Sequence, residues 1–174
     1  MGNLKVVIAD DEARICQLIQ ALINWDSLEM EITGMAHNGI EAFDAVQKVC
    51  PDILITDIRM PGLSGLELIE KVKAACPEVE IIIISGYAHF EYAQQAIRFG
   101  VGHYLLKPIN KAELTETLEK LKSKIGQRQE FERDKQVLIQ KAQKNEDYMR
   151  SKLLTQLLNG EPVSLTEEIL QNQY

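Results

Sequence analysis

The stretch CPDILITD, residues 50–57, decides the fold, because it joins a helix stop, a buried strand and a polar strand end. Pro51 cannot continue a preceding helix. The aliphatic run that follows is typical of a strand covered on both faces of a parallel sheet, and Asp57 comes directly after it. The segment CPEVEIIIIS, residues 76–85, repeats this order. The chain is therefore built from repeated strand-helix units.

Short aliphatic runs predict five strands: residues 4–9, 31–36, 52–56, 80–85 and 103–106. Apolar residues at helical spacing lie between and after them: Ile15, Leu18, Ile19 and Leu22; Ala42, Val46 and Val49; Leu68, Val72 and Cys76; Phe90, Ala93 and Ile97; Leu114, Leu118, Leu121 and Ile125. This alternation predicts an α/β, flavodoxin-like doubly wound (βα)5 domain over residues 1–125. We expect a parallel sheet of order 2-1-3-4-5 with helices on both faces and a helical extension at the C-terminus.

Composition excludes several classes of protein. The 174 residues are 45% hydrophobic, which is enough for a core without disulfides or structural metals. Cys16, Cys50 and Cys76 lack C-x-x-C spacing, so we expect buried thiols and no bridge or zinc site. The net charge of −7 resides in residues 1–110, which disfavours nucleic-acid binding there. Without an apolar stretch of about 20 residues, no membrane association is expected, and we predict a cytoplasmic location.

Polar side chains follow the strands that should border the ligand site of such a sheet. That site lies beyond the carboxyl ends of the strands, where strand order reverses. The strand ends supply Asp10, Asp11 and Glu12, then Asp57, then Ser85 and Gly86, then Lys107 and Pro108. Singly, each has a plain structural interpretation, such as a helix cap, a turn or a solvated ammonium.

Their joint placement points to a phosphoryl site. Carboxylates about 4 Å apart repel by several kcal/mol, so positive charge must balance them. Lys107 supplies one charge, and Mg²⁺ suits an all-oxygen site with open positions. Mg²⁺, Lys107 and Ser85 can neutralise the charge on the phosphoryl oxygens. Asp57 is the remaining group of the site and would act as the nucleophile.

Residues 4 to about 125 resemble the receiver domain of bacterial two-component response regulators. The resemblance rests on the acidic pair and on LITDIRMPGLSGLELI (54–69), SGYAHFEYAQQAI (85–97) and HYLLKPI (103–109). It implies that a sensor histidine kinase phosphorylates Asp57 and that the chain is a phosphoacceptor switch, not an enzyme acting on other substrates. It further implies these roles: Mg²⁺ ligands Asp10, Asp11, Asp57 and the Arg59 carbonyl; switch residues Ser85 and Tyr104; phosphate-binding Lys107, joined to Pro108 by a cis peptide; and Arg59 and Tyr87 at the pocket rim.

Other classes fit less well. Many receivers have Thr where Ser85 stands, but the hydroxyl is retained. A flavin-binding flavodoxin needs a Ser/Thr-rich loop where Asp10 and Asp11 stand. A haloacid-dehalogenase-type phosphatase has its nucleophile on strand one, not on strand three. The set Asp10, Asp11, Asp57, Ser85 and Lys107 is complete, which argues against an interaction module that has lost phosphorylation. A stand-alone receiver that acts through protein contacts stays open.

The tail is predicted to be a helical linker over residues 126–160. After a stutter near residues 127–130, a second apolar series contains Leu138, Ala142, Asn145 and Met149. It predicts a coiled-coil homodimer, while pairing through the receiver face stays open. LLTQLLNGEPV (153–163) resembles the connector to AraC-type helix-turn-helix domains. Residues 161–174 would then begin a missing effector region, which alone would bind DNA and regulate transcription.

Overall fold

The computed structural model describes residues 2–86 and 90–159. Its sheet is parallel and has the order β2-β1-β3-β4-β5, which confirms the predicted fold and strand order. The strands are β1 (Leu4–Ala9), β2 (Met30–Ala36), β3 (Ile53–Thr56), β4 (Glu80–Ser85) and β5 (His103–Leu106). Each begins within one residue of its predicted start.

Helices cover the sheet on both faces. They are α1 (Ala13–Leu22), α2 (Gly39–Val49), α3 (Gly65–Ala75), α4 (Phe90–Arg98) and α5 (Lys111–Asn159), with a short 3-10 helix at Asp26–Leu28. Val6 and Ile8 of β1 pack with α1 and the first part of α5, whereas Val7 and Ala9 pack with α2, α3 and α4. Side chains alternate across a strand, so a doubly covered strand must be apolar throughout.

Two helices begin at the carboxyl edge of the sheet with side-chain caps. The Asn38 side chain accepts a hydrogen bond from the Glu41 N–H at the start of α2. Ser64 and Glu67 form a reciprocal capping box at the start of α3. Caps of this kind satisfy N–H groups that the helix cannot pair internally. Both helix starts are thereby fixed beside the residues that follow β3.

The buried face of α4 differs from the predicted one. Ile97 was expected on the core stripe but is 70% exposed, whereas Ala96 is only 2% exposed. Tyr92 and Phe99 pack partly against the core beside Ala96. Apolar residues occur on more than one side of this helix, so their spacing alone could not identify the buried side.

The expectation of free cysteine thiols is wrong for two of the three. Cys50 and Cys76 form a disulfide with a Cα–Cα distance of 6.2 Å, whereas Cys16 is free and buried as predicted. The two bonded residues follow the last turns of α2 and α3, which pack side by side. Their separation of 26 residues in sequence does not reveal that proximity.

The chain divides into two compact units after Ile125. In the first unit, Leu114, Leu118, Leu121 and Ile125 of α5 are fully buried, as their spacing predicted. In the second, every residue from Phe131 to Tyr148 is exposed. The expected start of an effector region, residues 161–174, lies outside the described residues. Among the helices that are described, none combines the length and apolar character that crossing a membrane requires.

Candidate functional site

The sheet register brings the polar strand ends together at one edge. Ala9 of β1 pairs with Thr56 of β3, so the next residues, Asp10 and Asp57, emerge side by side. On the other side of β3, Ser85 of β4 pairs with Leu106 of β5, directly before Lys107. Parallel pairing thus accounts for the convergence that the sequence predicted.

Three carboxylates form the centre of the site. Oxygen atoms of Asp10, Asp11 and Asp57 all lie within 4.8 Å of one another. Asp10 and Asp57 are buried, whereas Asp11 is exposed. Burial raises the pKa of Asp10, although hydrogen bonds from Lys107 and from the Glu12 N–H act in the opposite direction. Like charges at this distance need a cationic partner.

Lys107 supplies a cationic partner. Its Nζ lies 2.8 Å from Asp10 Oδ2, 2.7 Å from Asp57 Oδ2 and 3.9 Å from Glu12 Oε1. Burial disfavours the ammonium, but the hydrogen bonds to Asp10 and Asp57 and the negative charges of these two carboxylates together outweigh burial and raise the pKa of Lys107. The following peptide bond to Pro108 is cis, as the resemblance implied. The site therefore keeps a charged lysine between two buried carboxylates.

The Asp57 side chain is held by its own loop. Its Oδ1 accepts hydrogen bonds from the N–H groups of Ile58 and Arg59, while its Oδ2 accepts from Lys107. One oxygen is thus engaged by the backbone and the other by an ammonium. Such charge-assisted bonds fix the orientation of a carboxylate more firmly than packing alone.

Two glycines secure that loop, and sequence reasoning missed them. The Gly39 N–H donates to the Pro61 carbonyl, and the Gly65 N–H donates to the Ile58 carbonyl. A Cβ on Gly65 would lie 2.1 Å from the carbonyl oxygen of Asp57, so no larger residue fits without movement. Each glycine directly follows a helix-capping residue, which is the signal the sequence offered.

A cavity of about 520 Å³ opens over these groups and is lined by Asp11, Glu12, Asp57, Arg59, Gly86 and Lys107. Gly86 and Arg59 therefore lie at the rim of the same cavity as Asp57 and Lys107. The role of the Arg59 carbonyl stays a prediction, and Tyr87, the other predicted rim residue, lies outside the described residues. A charged, oxygen-rich cavity of this size accommodates a phosphoryl group.

Ser85 ends β4, and Tyr104 lies on the neighbouring strand β5, where it pairs with Ile83. Ser85 is fully buried, and the half-buried Tyr104 forms a side-chain hydrogen bond with it. Burial raises the pKa of the Tyr104 hydroxyl. Their contact is compatible with a coupled movement, but the switch roles stay predictions.

The donor set fits a magnesium ion. Asp10, Asp11 and Asp57 offer only carboxylate oxygens, and Mg²⁺ prefers such hard ligands while retaining part of its water shell. The exposed Asp11 and the open cavity leave room for water and for a phosphoryl oxygen. Neither Asp10 nor Asp57 would have to leave its strand end to contribute.

Comparison with known protein families and curated relatives agrees with this geometry. Residues 6–119 match the response regulator receiver domain family. Over 157 residues the chain is 41% identical to the transcriptional regulatory protein YesN of Bacillus subtilis, covering 90% of this chain and 41% of YesN. Over 117 residues it is 38% identical to the transcriptional regulatory protein HptR of Staphylococcus aureus N315, covering 67% of this chain and 46% of HptR. The chain thus spans less than half the length of either relative.

Solved structures show the same fold. The receiver domain of AraT, a response regulator from Geobacillus stearothermophilus, is 40% identical with a TM-score of 0.69, covering 72% of this chain and 98% of that one. A two-component transcriptional regulator from Clostridium phytofermentans is 34% identical with a TM-score of 0.67, covering 73% and 98%. Both likenesses concern the part of the chain that carries the carboxylate site.

Proposed function

Because this chain belongs to the response regulator receiver domain family, we propose that Asp57 accepts a phosphoryl group from a sensor histidine kinase and that the receiver then switches a transcriptional output. The observation that carries the proposal is the buried Asp57 carboxylate, which is oriented by two backbone N–H groups and by Lys107 under an open cavity. We expect this to happen in the cytoplasm, where the kinase would present its phosphohistidine.

Phosphoryl transfer needs a nucleophile in line with the leaving group. An Asp57 carboxylate oxygen would attack phosphorus, the phosphorus–nitrogen bond would break, and its electrons would return to the imidazole of the kinase. Lys107 already lies 2.7 Å from Asp57, so its ammonium is close enough to bind an oxygen of the transferred group. The receiver thus promotes its own phosphorylation and, with water as nucleophile, its own dephosphorylation.

Asp10, Asp11 and Asp57, together with the Arg59 carbonyl, would hold Mg²⁺. When bound, the ion supplies positive charge that neutralises phosphoryl oxygens in the transition state. Asp10 and Asp57 both contact the Lys107 ammonium. This ammonium can therefore exchange its contact with a carboxylate oxygen for one with a phosphoryl oxygen.

The signal would travel through Ser85 and Tyr104. An aspartyl phosphate adds nearly two negative charges, and the Ser85 hydroxyl can donate to its oxygens. Because Tyr104 hydrogen bonds with Ser85, a change at one side chain alters the environment of the other. The result is a shift between two populations that differ on the surface near β5.

Intact-mass measurement after incubation with Mg²⁺ and acetyl phosphate tests the assignment. The parent chain should gain one phosphoryl group, Asp57→Asn should gain none, and chelation of Mg²⁺ should abolish the gain. Asp44→Asn, at an exposed position of α2, is the matched control and should behave like the parent. A full adduct on Asp57→Asn would refute the role of Asp57.

Because the chain spans less than half the length of its curated relatives, we also propose that pairing uses residues 126–159 and that DNA binding belongs to an effector region which these 174 residues do not include. Large apolar side chains in this stretch are exposed, among them Phe131, Leu138, Tyr148 and Leu154. A second copy of the same helix would cover them in a coiled coil, with the receiver face as the other candidate surface. The relatives carry names of transcriptional regulators, and one similar solved structure is described as a two-component transcriptional regulator AraC, which supports an AraC-type effector as the output region.

A further inference from the structure

The disulfide between Cys50 and Cys76 joins the C-terminal ends of two helices. Cys50 ends α2 in a left-handed conformation, with its N–H bonded to the Val46 carbonyl. Cys76 ends α3, with its N–H bonded to the Val72 carbonyl. The Cα atoms are 6.2 Å apart, within the range that a bridge requires. Cys50 is exposed, whereas Cys76 is 7% exposed.

The cross-link closes a ring that contains the phosphoacceptor segment. Residues 50–76 include β3, Asp57, the loop after it and α3. At their other ends, α2 and α3 hold that loop through Gly39 and Gly65. The two helices are therefore joined by hydrogen bonds to the loop at one end and by a covalent bond at the other.

We propose that Cys50 and Cys76 form a site of reversible thiol oxidation, whose oxidant is a low-molecular-weight disulfide, and that the cross-link stabilises the segment carrying Asp57. The exposed position of Cys50 makes it the accessible thiol, and the adjacent Cys76 is placed to resolve the intermediate. Cys16 cannot compete, because it lies in the other core cluster on the opposite face of the sheet. This proposal does not depend on phosphorylation of Asp57.

The chemistry is two successive thiol–disulfide exchanges. The Cys50 thiolate attacks one sulfur of the small disulfide, whose sulfur–sulfur bond breaks and releases one thiolate. The Cys76 thiolate then attacks the Cys50 sulfur of the mixed disulfide and releases the second thiolate. Two protein thiols lose two protons and two electrons in total, and the small disulfide is reduced to two thiols.

The expected effect on stability follows from ring closure. A cross-link removes conformations from the unfolded chain, and bridges of this kind typically stabilise small domains enough to raise Tm by roughly 5–15 °C. Within the native state, the effect should concentrate in β3 and α3, because these elements lie inside the ring. Strand β1 and helix α1 lie outside it.

Equilibration in glutathione buffers followed by alkylation and tryptic mapping tests the site. The three cysteines fall in separate tryptic peptides, 15–48, 49–59 and 74–98. With oxidised glutathione we expect peptides 49–59 and 74–98 to be linked, and with excess reduced glutathione all three cysteines to be alkylated. Full alkylation in every buffer would overturn the proposal, as would a link that reductant does not reverse.

Thermal unfolding with and without reductant tests the consequence. The parent should lose about 5 °C or more on reduction. For each variant, the Tm with reductant is compared with the Tm of the same variant without reductant. A loss of stability caused by the substitution itself therefore does not affect the comparison. Cys50→Ala and Cys76→Ala should show no reductant effect, whereas Cys16→Ala should keep it. If the Tm of the parent does not change on addition of reductant, the cross-link does not stabilise the domain and this part of the proposal is wrong.

Hydrogen exchange separates a local effect from a global one. On reduction, those amides of β3 and α3 that exchange through local opening should exchange several-fold faster, while the locally exchanging amides of β1 and α1 change little. If exchange accelerates equally in all four elements, the cross-link does not act on the Asp57 segment in particular, and that part of the proposal is wrong.

Discussion

At the scale of single residues, loss of the Lys107 side chain should slow phosphoryl transfer without weakening Mg²⁺ binding. Lys107→Ala removes the ammonium that lies 2.8 Å from Asp10 and 2.7 Å from Asp57. Without it the carboxylates repel more strongly, so Mg²⁺ should bind as tightly as before or more so. Removal of one positioned donor typically costs about 100-fold or more in rate, and we expect that loss in phosphorylation by acetyl phosphate.

Calorimetric titration with Mg²⁺ and a phosphorylation time course measure the two effects. Lys120→Ala removes an exposed lysine that pairs with Glu116 within α5 and is the matched control. Weaker Mg²⁺ binding in Lys107→Ala would contradict the separation. An unchanged phosphorylation rate would contradict the contact between Lys107 and the phosphoryl group.

Gly65 is the residue at which backbone packing limits the site. In Gly65→Ala the new Cβ would meet the Asp57 carbonyl oxygen at 2.1 Å and the Ile58 Cα at 2.7 Å. The loop must move, so the free energy of unfolding should fall by about 2 kcal/mol and phosphorylation should slow. Gly126→Ala meets no atom within 4 Å and lies inside α5. Because alanine favours helices, this control should be stabilised by up to about 1 kcal/mol in urea unfolding.

These residues show what the sequence could and could not predict about the site. Asp10, Asp57 and Lys107 were predictable, because parallel pairing carries all strand ends to the same edge of a sheet. The close approach of Gly65 to Asp57 was not, because it depends on how a helix start packs against another segment. The Cys50–Cys76 bridge was missed for the same reason, since it depends on two helix ends meeting in space.

At the scale of elements, helix α5 uses similar leucines in two different environments. Leu118 is fully buried against the sheet, whereas Leu138 is 67% exposed. The heptad-like spacing of the first series predicted its burial correctly, while α4 shows the limit of that reasoning. There, Ile97 and Ala96 are neighbours in sequence but face solvent and core respectively. Spacing identifies a buried side only where polar residues mark the opposite one.

Matched truncations on α5 measure this difference. Leu118→Ala should lower the free energy of unfolding by about 3 kcal/mol, because it removes core contacts and leaves a cavity. Leu138→Ala should cost less than about 0.5 kcal/mol in dilute solution, where an exposed leucine has no partner. Urea unfolding at low protein concentration checks both. A large loss for Leu138→Ala that persists on dilution would show that this residue is buried within a single chain.

At the scale of the whole molecule, the acidic part of the chain ends before the exposed part of α5 begins. Residues 1–110 carry the entire net charge of −7, and residues 111–174 are neutral overall. The neutral part includes the described stretch from Phe131 to Tyr148, in which every residue is exposed. A neutral helix with exposed leucines associates more readily than an acidic domain, because like charges do not oppose the approach of a second copy. The sequence predicted the helix, but not which surface a partner would cover, since that depends on a second chain.

Cutting the chain after Ile125 decides whether the tail or the receiver carries the pairing surface. The shortened chain keeps Leu114, Leu118, Leu121 and Ile125 and therefore its complete core. If residues 126–159 pair, it should sediment as a monomer at concentrations where the full chain forms dimers. Asn145 lies on the apolar side with Leu138 and Met149, so it should weaken pairing while fixing its register. A marginal dimer of this kind responds to a coupling of about 1–3 kcal/mol, and acetyl phosphate with Mg²⁺ should shift the dissociation constant of the full chain by roughly 5- to 150-fold. A shortened receiver that dimerises as tightly as the full chain would instead assign the pairing surface to the receiver and leave the tail as a connector.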